Sequence, residues 1–424
     1  MKVELAYGES GLVVDVPADR TSVVAPREAA AVADERAAVV DALRRPTHGA
    51  PLRVRVQRGQ RVAISICDGT RPQPRRVVVP AVLDELDGLV DPDDVVVLVA
   101  TGTHRANTPT ELDTMLGGDV LGRVRVVNHD ARDEASLRWV GELAGDVPVW
   151  LNAEWLDADV RITTGFVEPH FFAGFSGGPK MVAPGLAGLR TELALHDARR
   201  IGDERATWGV TVGNPVHDAV RAIAAATGVD FAIDVLLDRQ QRIVEVFAGD
   251  LLEEHAAACA AARRVAMVPL PAPFDVVVTT NAGFPLDQNL YQCVKGMAAG
   301  ASVVRPGGTL ICAAECRDGF PDHGSYRDVL ASEASPEALL RAIEARTTTV
   351  PDQWQVQVQA RVQSKARVMV HTSGLTATEL ASAHIEHAAD LGATVRAELE
   401  RLGPTATLCL LPEGPLTIPY LEAT

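Results

Sequence analysis

This sequence of 424 residues lacks several features that would place it in a common class of protein. It has no C-x-x-C pair, no basic head before an apolar stretch at its start, and no apolar run near the roughly 20 residues of a spanning helix. It also has no excess of positive charge, since its formal net charge is −16. We therefore predict no signal peptide, no membrane span, and no basic surface for nucleic acid or anionic lipid.

The cysteines indicate a reducing compartment. A chain of this length does not need disulfide staples, and unpaired thiols are typical of cytoplasmic proteins, so we predict a cytoplasmic location. The six cysteines are Cys67, Cys259, Cys293, Cys312, Cys316 and Cys409. Hydrophobic residues make up 47% of the chain, which at this length predicts two domains with sizeable cores.

Short β-branched runs alternate with longer stretches rich in alanine and leucine. This alternation predicts an α/β fold of two domains, each with a largely parallel sheet flanked by helices. The predicted strands are 61–67, 94–102, 123–129, 159–165, 231–237, 242–249, 275–281, 307–315 and 366–373; the predicted helices are 76–88, 187–200, 215–227, 250–264, 287–300 and 335–346. A proline-rich break at 269–274 divides an N-terminal domain, 1–270, from a C-terminal domain, 271–424. The last 20 or so residues could pack on either domain.

Polar residues follow closely after the ends of four predicted strands. These groups are Asp68-Gly-Thr-Arg-Pro, Thr103-His-Arg, Glu168-Pro-His and Pro285-Leu-Asp-Gln. Ligands of open α/β sheets bind at the carboxyl ends of the strands. The pattern predicts one shared site, in the cleft between the two domains.

Each group also has a purely structural interpretation. Asp68 to Arg71 is either a turn or an anion clamp, with the Arg71 guanidinium as a forked donor and Thr70 assisting. His104 is either an exposed loop residue or, with His170, half of an acid–base pair that works on opposite faces of one substrate. His196, in a helical stretch, is either a packing or surface residue or a ligand for nickel or zinc.

The segment EPHFFAGFSGGPKMVAPG raises the question of a phosphate-binding loop. Such a loop needs a hydroxyl directly after its lysine, whereas Met181 follows Lys180 here. Lys180 is therefore a phosphate contact of another kind, a covalent attachment point or a surface lysine.

A second cluster of polar residues falls on the predicted helix over 287–300. Asp287, Tyr291 and Lys295 share one face of this helix, with Gln292 beside it, and the face suits either an anion or solvent. Trp354 is either a core residue or a lid over a flat cofactor.

Taken together, the motifs resemble those of the nickel-dependent lactate racemase family. They are, in order, Asp-x-Thr-Arg-Pro, Thr-His, Glu-Pro-His, Ser-Gly-Gly-x-Lys-Met, a helical His and Pro-Leu-Asp-Gln-Asn-x-Tyr-Gln-x-x-Lys-Gly. The resemblance runs from about Gly11 to Thr424. It implies a nickel-pincer nucleotide, the Ni(II) complex of pyridinium-3,5-bisthiocarboxylic acid mononucleotide, and partner enzymes that make this cofactor.

The resemblance also implies a role for each motif residue. Lys180 would be the covalent tether, His196 the nickel ligand, and His104 and His170 the catalytic acid and base. Asp68, Thr70, Arg71, Tyr291 and Trp354 would contact the cofactor, while Arg71, Gln292 and Lys295 would bind the substrate. The implied reaction inverts C2 of a lactate-like 2-hydroxy acid by reversible hydride transfer to the cofactor.

Two other functions stay open from the residues alone. One is a zinc-dependent hydrolase, which would need His104, His170 and His196 to converge on one metal ion. The other is a protein that binds a nucleotide or carboxylate without catalysis.

Overall fold

A computed structural model describes residues 1–27, 29–321 and 324–422. The chain forms two compact units, which interleave along the sequence. The N-unit comprises the described residues of Glu28–His196 and Arg205–Val265, and the C-unit those of Met1–Arg27, Asp197–Glu204 and Ala266–Thr424.

The strands are short and mostly buried. They are β1 (Lys2–Leu5), β2 (Leu12–Asp15), β3 (Thr21–Val23), β4 (Val62–Cys67), β5 (Val95–Ala100), β6 (Arg125–Asn128), β7 (Leu137–Leu143), β8 (Val147–Asn152), β9 (Val160–Phe166), β10 (Pro169–His170), β11 (Gly174–Phe175), β12 (Phe231–Leu237), β13 (Ile243–Gly249), β14 (Met267–Leu270), β15 (Phe274–Thr280), β16 (Val304–Ala313), β17 (Arg367–His371), β18 (Glu386–His387), β19 (Leu408–Leu411) and β20 (Ile418–Leu421).

The helices lie largely between consecutive strands. They are α1 (Glu35–Arg44), α2 (Leu52–Arg55), α3 (Arg75–Leu86), α4 (Pro109–Leu116), α5 (Gly118–Leu121), α6 (Ala153–Asp157), α7 (Leu189–Leu195), α8 (Ala198–Gly202), α9 (Pro215–Thr227), α10 (Leu251–Ala266), α11 (Leu290–Ala301), α12 (Tyr326–Leu330), α13 (Pro336–Glu344), α14 (Gln353–Lys365), α15 (Ala377–Ser382) and α16 (Leu391–Leu402). None of the helices in the described part of the chain is both long and apolar enough to cross a membrane.

A six-stranded sheet is the centre of the N-unit. Its order is β13-β12-β9-β4-β5-β6, parallel except for the antiparallel edge strand β13. The chain runs from β4 to β6 in one direction and places β9 and β12 on the other side of β4. The carboxyl ends of β4 and β9 therefore flank a topological switch point, where open α/β sheets bind their ligands.

Both faces of this sheet are covered, which explains the uninterrupted apolar strands. All six residues of β4 are buried, with Ile64 and Ile66 in one core and Ala63 in the core on the opposite face. Side-chain caps fix where the covering helices begin. Asn214 caps α9, and Thr108 and Glu111 form a capping box at α4.

The C-unit contains a second six-stranded sheet, of order β18-β17-β16-β15-β19-β3. All of its strands are parallel. Its switch point lies between β15 and β19, and the segment that follows β15 leads into α11. The first residues of the chain complete this sheet, because β3 pairs with β19 at its edge.

The predicted α/β class is confirmed, with largely parallel sheets flanked by helices. The compact units are not the two continuous segments 1–270 and 271–424, since residues 1–27 and 197–204 pack with the second half of the chain. As functional domains, those two segments stay a prediction. The last strand, β20, pairs with β14 in the C-unit.

Two helix predictions were wrong in detail. The single helix over 187–200 is two helices, because the Asp197 carboxylate accepts the Arg200 N–H and so caps a new helix, α8. The helix over 287–300 begins only at Leu290, after its cap Asn289. Asp287 therefore shares no helix face with Tyr291; its buried carboxylate accepts the N–H groups of Gly8 and Glu315 instead.

Candidate active site

Three side chains at the ends of β4 and β5 form a hydrogen-bonded group. The Asp68 carboxylate accepts Thr70 Oγ1–H at 2.7 Å and His104 Nδ1–H at 2.8 Å. Asp68 is 4% exposed, whereas the His104 side chain is 49% exposed. A carboxylate can only accept, so Nδ1 carries the proton and the lone pair of neutral His104 lies at Nε2. This geometry equips His104 to act as a base through Nε2.

Asp68 stays ionised although it is buried. Burial acts to raise the pKa of Asp68, but the hydrogen bond and charge of His104, with help from Arg71, outweigh burial and hold that pKa below its usual value. A permanent negative charge next to Nδ1 stabilises the imidazolium that forms when His104 accepts a proton.

Arg75, at the start of α3, fixes the turn that carries these groups. Its guanidinium donates to the backbone oxygens of Asp68 and Arg71, each at 3.1 Å, and to that of Cys67 at 3.4 Å. The sequence analysis did not select Arg75. The sequence does indicate it: Arg75 lies four residues after Arg71 and directly before a predicted helix, and a side chain at the start of a helix reaches back over the preceding turn.

A cavity of about 500 Å³ opens beside this group. Its lining residues include Asp68, Thr70, Arg75, His104, Arg105 and Asn107. The volume is in the range of small-molecule sites, and the lining combines cations, a carboxylate and an imidazole.

Glu192, on α7, links the His104 turn to His196. One of its carboxylate oxygens accepts Thr103 Oγ1–H at 2.9 Å, and its backbone oxygen accepts His196 Nδ1–H at 2.8 Å. The lone pair of neutral His196 is therefore at Nε2, as in metal-binding histidines whose other nitrogen donates to a carbonyl. Glu192 Oε2 is buried without a hydrogen-bond partner among the described residues. Glu192 was missed from the sequence; its signal was the four-residue spacing from His196.

His170 and His196 contact the same phenylalanine ring. The Phe172 ring contacts His170 edge-on at 4.5 Å between centroids, and His196 edge-on at 5.2 Å. The Ala173 N–H donates to His170 Nδ1 at 3.2 Å. Neutral His170 therefore carries its proton at Nε2, which is the tautomer opposite to that of His104.

Lys180 is half-buried in a tight turn, Gly178–Met181. Backbone hydrogen bonds tie this turn to the loop after β5, because Gly185 N–H donates to the Lys180 oxygen and Gly102 N–H donates to the Gly185 oxygen, both at 3.0 Å. The two loops that carry Lys180 and His104 are therefore part of one hydrogen-bonded structure.

The remaining predicted residues lie in the C-unit, at the start of α11 and on α14. Asn289 caps α11 by accepting the Gln292 N–H at 3.1 Å. The backbone of Tyr291 is held by Gln355, whose side-chain amide donates to the Tyr291 backbone oxygen at 2.5 Å. Trp354 precedes Gln355 on α14 and is buried. Gln292 and Lys295 are half-buried on α11.

Comparison with known proteins shows the family to which the chain belongs. The family model of the lactate racemase N-terminal domain matches residues 7–209, and that of the lactate racemase C-terminal domain matches residues 270–418. The chain belongs to the lactate racemase family. It is accordingly an isomerase, a racemase.

Individual lactate racemases are similar over most of the chain. One from Thermoanaerobacterium thermosaccharolyticum is 32% identical over 97% of both chains, and one from Lactiplantibacillus plantarum is 34% identical over 83% of both. The structure of the T. thermosaccharolyticum lactate racemase apoprotein matches with a TM-score of 0.93 at 31% identity, covering 99% of this chain and all of that one. A Thermotoga maritima protein of 18% identity shares the fold, with a TM-score of 0.68 over 91% of this chain.

The site differs from the three-histidine zinc site of a hydrolase. Within the residues that the structure describes, no group of three or more His, Cys, Asp or Glu side chains could hold a metal ion. His104 is hydrogen-bonded to the Asp68 carboxylate, whereas His196 is hydrogen-bonded to the backbone oxygen of Glu192. This lactate racemase family member offers single imidazoles at separate positions.

Proposed function

We propose that this member of the lactate racemase family inverts C2 of a lactate-like 2-hydroxy acid with a nickel-pincer nucleotide attached to Lys180. The Asp68–His104 pair is the observation that carries the proposal. A buried carboxylate at 2.8 Å fixes the tautomer of an exposed imidazole, which is the arrangement of a general base. The lactate racemases among its relatives support the substrate class.

The residues present fit such a cofactor. His196 has Nδ1 committed to a carbonyl and its lone pair at Nε2, so it can supply one nitrogen ligand to nickel. Lys180 is a primary amine on a turn fixed by backbone hydrogen bonds, which suits a covalent tether. When bound, the group would take up and return the hydride of C2, and the protein would position the substrate against it.

His104 would remove the hydroxyl proton of one enantiomer through Nε2, and the charge of Asp68 would stabilise the resulting imidazolium. Neutral His170 would donate a hydrogen bond from Nε2. For His170 to accept a proton at Nε2, as the opposite enantiomer requires, it must release the Ala173 N–H and change tautomer. The two bases are therefore not equivalent in this proposal.

The other predicted residues would bind the ligands. Arg71, Lys295 and Gln292 would hold the substrate carboxylate, because two cations and an amide suit a planar anion. Arg71 would also contact the cofactor, together with Asp68, Thr70, Tyr291 and Trp354. Enzymes that make the cofactor would act as partners, and the six buried free thiols support a cytoplasmic location.

The test is to produce the chain together with cofactor-making enzymes and to examine it by peptide mass spectrometry and nickel quantitation. We expect a nucleotide-sized adduct on the Lys180 peptide, one nickel per chain, and racemisation of lactate or a related 2-hydroxy acid by chiral chromatography. Lys180→Ala should lose the adduct.

Variants of the proposed bases complete the test. His104→Asn and His170→Asn should retain the adduct and lose racemisation, while His48→Gln, in an exposed position of the same unit, should retain both. An unmodified Lys180 in active protein would refute the tether. Full activity of either base variant would refute the two-base mechanism.

A further inference from the structure

Two buried carboxyl groups lie against the lysine loop, defined here as residues 165–185, and have no role in the proposed chemistry. Asp234 belongs to β12 and Glu254 to α10. Asp234 is 1% exposed and Glu254 is fully buried. Asp234 Oδ2 accepts the Gly178 N–H at 2.8 Å, two residues before Lys180. The carboxyl group thus holds the backbone of the turn that presents the lysine.

Three buried oxygens of these two carboxyl groups lack a hydrogen-bond donor in the described part of the chain. Asp234 Oδ1 and both oxygens of Glu254 receive no N–H or O–H from any other described residue. Each carboxyl group acts electrostatically on the other, and two buried carboxyl groups side by side can satisfy one another only when one of them carries a proton, because two ionised carboxylates can only accept. Burial raises the pKa of Asp234 to about 7, and burial together with the charge of Asp234 raises the pKa of Glu254 well above its usual value. Because the Gly178 N–H donates to Asp234, the ionised form is favoured at Asp234 and the proton at Glu254, which can then donate to Asp234.

The backbone of the lysine loop approaches Asp234 too closely for any side chain but hydrogen. A Cβ atom at Gly165 would lie 2.4 Å from Asp234 Oδ1, and one at Gly177 would lie 2.8 Å from it. Gly177 has φ +73°, a conformation that glycine adopts without strain. The carboxyl group is thus packed between two strictly glycine positions as well as hydrogen-bonded to a third.

Neighbouring histidines hold the same loop at two more points. His255 Nε2 donates to the backbone oxygen of Ser176 at 2.8 Å, and His217 Nδ1 donates to the backbone oxygen of Ala173 at 3.2 Å. The two rings stack at 5.9 Å. Burial lowers the pKa of His255 to about 3 and that of His217 to about 4, so both are neutral. The two histidines therefore hold the loop through hydrogen bonds without adding charge.

We propose that Asp234 and Glu254 are a proton-sharing positioning pair, which fixes the Gly177–Gly178 backbone and thereby directs the Lys180 side chain. In this arrangement Glu254 donates to Asp234, and Asp234 accepts the Gly178 N–H. The positioning of the turn follows from these contacts alone. Its effect on cofactor attachment rests on the proposed function of Lys180.

Hydrogen exchange of the Gly178 amide tests the positioning directly, in the chain produced without cofactor. Asp234→Asn keeps an acceptor for Gly178 and offers its own amide to Glu254, so exchange should stay within about threefold of the parent. Asp234→Ala removes the acceptor and should accelerate exchange about tenfold or more. Ile223→Val, a buried change in α9, is the control for general loss of stability.

Equal Gly178 exchange in Asp234→Ala and Ile223→Val would overturn the proposal, as would an Asp234→Asn variant that exchanges as fast as Asp234→Ala. If Asp234→Ala does not fold, Glu254→Gln and Glu254→Leu decide. The glutamine amide can still donate to Asp234, so the Gly178 amide should stay protected from exchange in Glu254→Gln. In Glu254→Leu the Gly178 amide should exchange about tenfold faster. Equal behaviour of these two variants would overturn the shared proton.

Adduct formation at Lys180 is the second measurement, on chains produced with the cofactor-making enzymes. The occupied fraction should follow Gly178 protection: near parental in Asp234→Asn and several-fold lower in Asp234→Ala. Full occupancy in a variant with an unprotected Gly178 would overturn the link between the pair and Lys180. Absence of an adduct in the parent as well would refute the tether, whereas the exchange result would still decide the positioning.

Discussion

Replacing Asp68 by Asn removes a charge from beside His104 and leaves the hydrogen bonds in place. The amide oxygen can accept His104 Nδ1–H at the 2.8 Å position, and the amide nitrogen can donate to Thr70 Oγ1, whose hydroxyl serves as donor or acceptor. The tautomer of His104 is therefore preserved. What is lost is the attraction between Asp68 and the imidazolium that forms when His104 takes the substrate proton.

The size of the effect follows from the contact. Hydrogen bonds to a charged group contribute about 1.5–3 kcal/mol, against about 0.5–1.5 kcal/mol for neutral pairs. His104 is 49% exposed, and solvent screens part of the attraction, so the loss lies near 1.5 kcal/mol. We expect kcat to fall about tenfold, since about 1.4 kcal/mol corresponds to a factor of ten in rate. Asp68→Ala also frees the imidazole to rotate, so its kcat should be at least about tenfold lower than that of Asp68→Asn.

The assay is racemisation of the best 2-hydroxy acid by cofactor-loaded protein, with rates divided by the nickel content of each sample. Asp113→Asn, which removes one charge from the exposed face of α4, is the matched control and should stay at the parental rate. A kcat of Asp68→Asn within twofold of the parent would show that the charge of Asp68 does not assist His104. Equal losses in the Asn and Ala variants would show that orientation is not maintained by the amide.

Three further predictions follow from buried contacts. Gly178→Ala places a Cβ 2.4 Å from the His255 ring at φ +48°, so the N-unit should lose about 2–5 kcal/mol of unfolding free energy in urea titrations, and an unchanged midpoint would contradict the packing. The pKa values of His217 and His255 are lowered to about 4 and about 3, so below pH 6.5 the unfolded chain binds protons that the folded chain refuses. The free energy of unfolding should therefore decrease as the pH is lowered below 6.5, by about 1.4 kcal/mol per pH unit for each histidine, until about pH 4 for His217 and about pH 3 for His255. His217→Asn should make this decrease less steep. Thr103→Val leaves the Glu192 carboxylate without its hydroxyl donor and should lower stability by about 1–3 kcal/mol and racemisation with it, whereas Thr103→Ser should retain both.

The parallel strands were predictable because both faces of each sheet are buried. All nine predicted strands exist, and β12 has the predicted bounds 231–237. Helix α14 was not predicted, because its sequence QWQVQVQARVQSK carries glutamines where a buried helix normally carries apolar residues. Gln355, Gln357 and Gln359 are buried, and their amides donate to backbone oxygens far away in the sequence. No local pattern reports such distant acceptors.

The same distinction applies to the candidate site. Asp68 directly follows β4, and His104 and His170 lie four residues after the ends of β5 and β9, so the rule of strand ends was sufficient to select them. Glu192 and Asp234 act through partners that lie 89 and 56 residues away in the sequence. Their importance depends on the fold being assembled first, since the spacing of Glu192 from His196 does not reveal its contact with Thr103, and no motif marks Asp234.

The pairing of β3 with β19 has a consequence for synthesis of the chain. Thr21 pairs with Leu408, so one edge of the C-unit sheet cannot close until almost the whole chain has left the ribosome. At about 5–20 residues per second β3 waits roughly 20–80 s for β19. The N-unit, which needs nothing beyond Val265, can condense during that interval. The order of emergence therefore favours a folded N-unit while β3 is still unpaired, and the leading segment stays accessible to chaperones and proteases during that interval.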